Sequence, residues 1–78
     1  MSRAMKTLAL MKANPHNWRI EQLKTVAEAF GIAYRQPGGS HVIFRHASGA
    51  MLSVPAHRPI KPVYIRMFVR LIEEGISR

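Results

Sequence analysis

Apolar residues recur at two different periods along this chain, and the change of period marks its elements. In NWRIEQLKTVAEAFG, residues 17 to 31, the positions Ile20, Leu23, Val26, Ala27 and Phe30 fall three and four apart. That spacing is one face of an α-helix. Asn17 is placed to cap its start, and Gly31 sits where a helix takes a left-handed C-terminal residue. Residues 3 to 12, RAMKTLALMK, carry Met5, Leu8 and Met11 at similar spacing, with Ser2 as N-cap and Asn14-Pro15 as stop. Beyond residue 31 the runs shorten and glycines punctuate them. IAYRQ, HVIFRH and MLSV read as three strands, joined by the turns PGGS and ASGA and ended by Pro55. Pro62 then opens a last helix, with Ile65, Phe68, Val69 and Ile72 on one face and Gly75 as its stop.

The predicted order is helix, helix, three strands, helix. An antiparallel meander covered by helices on one face is an α+β sandwich. Alternation assigns the sheet faces. If Val42, Phe44, Leu52 and Val54 meet the helices, then His41 and Arg45 project together from the open face. At 78 residues the chain is read as a single domain spanning 1–78, with 1–15 as an N-terminal helical extension and 17–76 as the core.

Charge sharpens this picture. Twelve Lys and Arg stand against four acids, for a formal net charge of +8. Between Glu28 and Glu73 there is no acid, while Arg35, Arg45, Arg58, Lys61, Arg66 and Arg70 all lie there. A one-signed field attracts polyanions. Arg outnumbers Lys, which favours bidentate phosphate contact. The basic residues form no amphipathic basic helix and no apolar run can span a bilayer, so no membrane is expected. The chain has no cysteine, hence no disulfide framework and no thiolate site. A reducing, cytoplasmic setting is expected. The N-terminal TLALM run is too short for a signal peptide and is read as helix.

Several chemistries find no support. No Asp is present for a Ser-His-Asp triad, and all four Glu lie in predicted helices outside the basic segment. The GGS turn lacks a following lysine and opens a strand, so it is not a phosphate-binding nucleotide loop. The histidines have no metal-ligand spacing, so neither metal nor cofactor is expected. RNA cleavage demands less. The 2′-hydroxyl is the nucleophile, and the protein need supply only a proton carrier and cations for the phosphate. An imidazole can be either base or acid near pH 7, and arginine or lysine stabilises charge gained at phosphorus. Gly39 and Ser40 leave room for a backbone to approach His41. Gly39, Ser40, Arg35, Arg45 and Lys61 are the candidate RNA- and phosphate-binding residues, the three cations holding phosphates.

The run Gly39, Ser40, His41, Val42, Ile43, Phe44 resembles the motif of the HicA toxin family. The following Val54, Pro55 and His57, then a loop and a helix, agree with it over roughly residues 17 to 74. The resemblance implies a double-stranded-RNA-binding-domain-like fold. It implies a messenger-RNA endoribonuclease, the toxin of a type II toxin–antitoxin system, with His41 as the catalytic residue and Gly39 giving access. It also implies a HicB-like antitoxin as partner, in an oligomeric complex. Many members carry a second histidine after the first; here that position is Val42, which makes His57 the candidate assisting residue. Two other readings fit the charge: a non-catalytic RNA-binding module of the same fold, and a structural subunit that meets an acidic partner.

Overall fold

The computed structural model describes residues 2–56 and 58–77. The elements run α1 (Arg3–Ala13), α2 (Ile20–Ala29), β1 (Ala33–Arg35), β2 (His41–Arg45), β3 (Met51–Pro55) and α3 (Pro62–Glu74). The three strands form one antiparallel sheet in the order β1-β2-β3. This is the α+β architecture expected from the pattern.

The sheet buries one face only. Val42, Phe44, Leu52 and Val54 are buried and meet the helices. Val42 pairs with Val54, and Phe44 with Leu52 and Tyr34, so these side chains form adjacent rows on one side. Phe44 meets Phe68 of α3 edge-on, with ring centroids 5.0 Å apart. Burying side chains of this size contributes roughly 1.5–3 kcal/mol each. Register is therefore strongly specified, since a one-residue slip would turn this row to solvent.

The helices differ from their sequence reading in three places. Asn17 does not cap α2. Arg19 is its N-cap residue, and Asn17 lies two residues upstream with φ 66°. The reason is tertiary. Trp18 forms an isolated antiparallel bridge with Ile60, whose N–H donates to the Trp18 carbonyl at 2.8 Å. The Trp18 indole also donates to the Asn14 carbonyl at 2.7 Å. The chain is held extended through this stretch, and the helix begins only at Ile20. The Gln22 side chain then accepts from the Arg19 N–H at 2.9 Å. Second, Phe30 and Met5 are exposed rather than buried in their stripes. Third, α3 buries Leu71 fully and Ile72 only in part. It packs against β3 and against α1, so its buried arc is wider than a single stripe.

Helix α1 packs on α3 and α2. Its N-cap is Ser2, whose hydroxyl accepts from the Met5 N–H at 3.2 Å. Leu8 and Met11 enter the common core, and Met11 is completely buried. Lys12 reaches Glu73 of α3 at 3.2 Å.

Candidate nucleic-acid interface

The open face of the sheet is built by alternation. Ala33, Arg45 and Met51 form one row across the three strands; Arg35, Ile43 and Ser53 form the next; His41 and Pro55 form the third. All but the half-buried Ile43 and Pro55 are exposed. His41 and Arg45 thus share this face, as the strand period predicts. Four residues separate them, or about 14 Å along an extended strand. Arg35 is the diagonal neighbour of His41, at about 7–8 Å between backbones. Arg35 and Arg45 line one depression together with Ala33, Tyr34, Ile43 and Met51.

The glycine turn before His41 is braced from two sides. Gly38 and Gly39 take φ values of 75° and 81°, which suit glycine and strain other residues. A Cβ at Gly39 would meet nothing within 4 Å, so its backbone rather than its lack of side chain is what the turn needs. Gln36 donates to the Gly39 carbonyl at 2.8 Å and accepts from Lys24 at 2.7 Å. Lys24 also lies 5.8 Å from the centre of the Tyr34 ring. The Ser40 carbonyl accepts from the Ala56 N–H at 3.0 Å, extending the ladder between β2 and β3. The Ser40 hydroxyl lies 3.1 Å from Nδ1 of His41. The His41 ring has no other hydrogen-bond partner among the described residues, and the residue is exposed.

Not every candidate converges. Lys61 is the N-cap residue of α3, exposed, and no hydrogen bond or ion pair joins it to the sheet face among the described residues. His57, the candidate assisting residue, lies outside the described residues. Gln36 and Lys24 are the residues that sequence reasoning missed. Gln36 stands directly before the PGG turn, a position that could have flagged it; the reach of Lys24 from α2 has no sequence signal.

The electrostatics follow from where the acids go. Glu21 meets Arg58 at 3.9 Å, Glu73 meets Lys12, and Glu74 meets Arg70 at 3.5 Å. Glu28 accepts a hydrogen bond from the Tyr34 hydroxyl. That bond, helped by partial burial and by the carboxylate charge, raises the Tyr34 phenol above its ordinary value of 10.0. All four acids are thus engaged on helices. Arg35 and Arg45 have no carboxylate partner among the described residues. Three or more His, Cys, Asp or Glu side chains do not come together anywhere among the described residues. Among the described residues no helix is long and apolar enough to cross a membrane.

No protein-family model matches the chain, and neither a curated protein nor a solved structure matches it.

Proposed function

We propose that this protein is a metal-independent endoribonuclease that cuts messenger RNA, acting as the toxin of a HicA-type toxin–antitoxin pair. The observation that carries the reading is His41: exposed, following a braced glycine turn, and sharing an acid-free sheet face with Arg35 and Arg45. The order α2-β1-β2-β3-α3 is also that of a double-stranded-RNA-binding-domain-like fold. His41 takes the proton from the 2′-hydroxyl as it attacks the adjacent phosphorus, or gives one to the departing 5′-oxygen. The P–O5′ bond breaks as the P–O2′ bond forms. Of the two arginines on this face, Arg35 is the nearer by register and would steady the charge that gathers on the phosphoryl oxygens. Gly39 and Ser40 leave the approach open. An acidic HicB-like antitoxin would cover this face by charge complementarity and keep RNA away.

The test uses pure protein and single-stranded RNA. Wild type is expected to give fragments in the presence of EDTA, and His41→Ala to give none. Because His41 is exposed, the variant's far-UV circular dichroism and melting curve should match wild type. Equal cleavage by His41→Ala would overturn the assignment. A second reading, a non-catalytic RNA-binding module, is favoured by one feature: no second ionisable proton carrier joins His41 on the open face among the described residues. Salt-sensitive binding without fragments would establish that reading instead.

A further inference from the structure

The depression on the open sheet face lies beside His41, not around it. Its volume is about 390 Å³. It is lined by Ala33, Tyr34, Ile43 and Met51 together with Arg35 and Arg45. A lining with this much apolar surface is poor for a bare phosphate. Two arginines with no carboxylate partner among the described residues are poor for a lipid tail or an apolar peptide. The combination suits a flat, weakly polar ring joined to anionic groups. Guanidinium planes stack on bases as well as pairing with phosphates.

Register fixes how such a ring would lie relative to His41. The three rows of the open face are two residues apart, or about 7 Å. His41 is in the third row, Arg35 and Ile43 in the second, Arg45 and Met51 in the first. A strand that places its scissile phosphate at His41 carries its next nucleotide over Ile43 and Met51. The phosphate two further along then falls at Arg45, about 14 Å from His41.

We propose that this depression is a base-stacking subsite for one unpaired nucleotide flanking the phosphate at His41. It rests on the reading of His41 as the cleavage site, and it makes the substrate single-stranded. A base held in a helix keeps both faces covered by its neighbours and cannot lie on Ile43 and Met51. A double-stranded-RNA-binding-like fold is thereby turned from duplex shape to an unpaired strand, through its sheet rather than its helices.

The experiment uses a fluorescein-labelled 2′-O-methyl RNA decamer, which lacks the attacking hydroxyl and stays intact. Binding is followed by anisotropy, with the decamer alone and annealed to its complement. The single strand is expected to bind about 10-fold or more tightly than the duplex, as one stacked base is worth that much. Arg35→Ala and Arg45→Ala should each lower the slope of log affinity against log salt by about 0.7. Arg45→Lys keeps the charge and the slope but loses the plane, so it should still bind the single strand more weakly than wild type. Met51→Gln, which replaces an apolar lining side chain by a polar one of similar size, should weaken it likewise. Both arginines and Met51 are exposed, so folding is not at stake. Equal affinity for single strand and duplex, or full binding by Arg45→Lys and Met51→Gln, would overturn the subsite. Cleavage by His41 with no loss in these variants would sink the subsite and leave the nuclease. Arginine-dependent stacking without cleavage by wild type would leave the subsite and sink the nuclease.

Discussion

Changing Gly75 to alanine should cost this protein far more than the same change at Gly31, although both residues end helices in the left-handed region. Their φ values are 67° and 72°. A side chain in that conformation costs roughly 1–2 kcal/mol, offset by about 0.4–1 kcal/mol from the stiffer unfolded chain. Gly31→Ala should therefore lose about 1 kcal/mol, since an added Cβ there meets nothing within 4 Å. At Gly75 the added Cβ would sit 2.8 Å from Cε1 and 2.9 Å from Nδ1 of His46. The ring is not free to retreat. Its Nδ1 accepts from the Ser48 N–H at 3.0 Å, and the Ser48 hydroxyl donates to the Gly75 carbonyl at 2.7 Å. Forcing atoms into such a contact adds roughly 1–3 kcal/mol. Gly75→Ala should then lose about 2–4 kcal/mol in all, against a total near 4–12 kcal/mol for a chain of this length. Urea denaturation of the four proteins in a cycle with His46→Ala measures it. Most of the excess should vanish in the His46→Ala background, a coupling of about 1–3 kcal/mol. If Gly75→Ala costs no more than Gly31→Ala, or costs the same with and without the imidazole, the latch is wrong. The latch matters for the site because His46 follows Arg45 directly and seats the β2–β3 turn on the end of α3.

Two further outcomes are expected. Met11→Ala should destabilise the whole domain by about 2–5 kcal/mol, because Met11 is fully buried in the common core; a loss under about 0.5 kcal/mol in urea denaturation would make α1 an appendage. Tyr34→Phe should change the alkaline limb of stability. Tyr34 holds its proton more tightly folded than unfolded, so its contribution is complete below about pH 10 and falls as pH rises through the raised folded value. The urea midpoints of wild type and Tyr34→Phe should therefore converge above pH 10, and a gap that widens there would contradict the Glu28 bond.

What the sequence tells of this fold, it tells through period. The helical stripe of Ile20, Leu23, Val26 and Ala27 is buried as spaced. Pro62 starts α3 and Gly75 ends it, because one needs no N–H and the other needs no Cβ. Val42, Phe44, Leu52 and Val54 face the helices, which leaves His41 and Arg45 on the far side. What escapes is every feature set by contact across the chain. Arg19 rather than Asn17 begins α2 because Ile60, far along the chain, bridges Trp18. His46, the last residue of the run HVIFRH, is half-buried against Gly75. The brace from Lys24 through Gln36 to the Gly39 carbonyl joins a helix to a turn. Single side chains on different elements carry no periodic signal.

The charge pattern shows how local chemistry and fold combine. The sequence leaves the stretch between Glu28 and Glu73 free of acids and puts five of its eight arginines there, but that alone does not make a basic face. The fold does so by giving each acid an occupation elsewhere. Glu73 and Glu74 lie on α3, where they meet Lys12 and Arg70; Glu21 on α2 meets Arg58; Glu28 accepts from Tyr34. Exposed ion pairs like these contribute little to stability, on the order of 0–1 kcal/mol each. Their larger consequence is positional. They hold negative charge on the helical side, so Arg35 and Arg45 are exposed with no carboxylate partner among the described residues, on a sheet that carries no acidic side chain. Placing a negative charge on the open face should therefore harm polyanion binding far more than reversing the charge of an exposed arginine of a helix. Ser53→Glu against Arg70→Glu makes that comparison with the same oligonucleotide, although the second removes more positive charge. A larger loss in Arg70→Glu than in Ser53→Glu would mean that net charge, not the sheet face, governs the encounter.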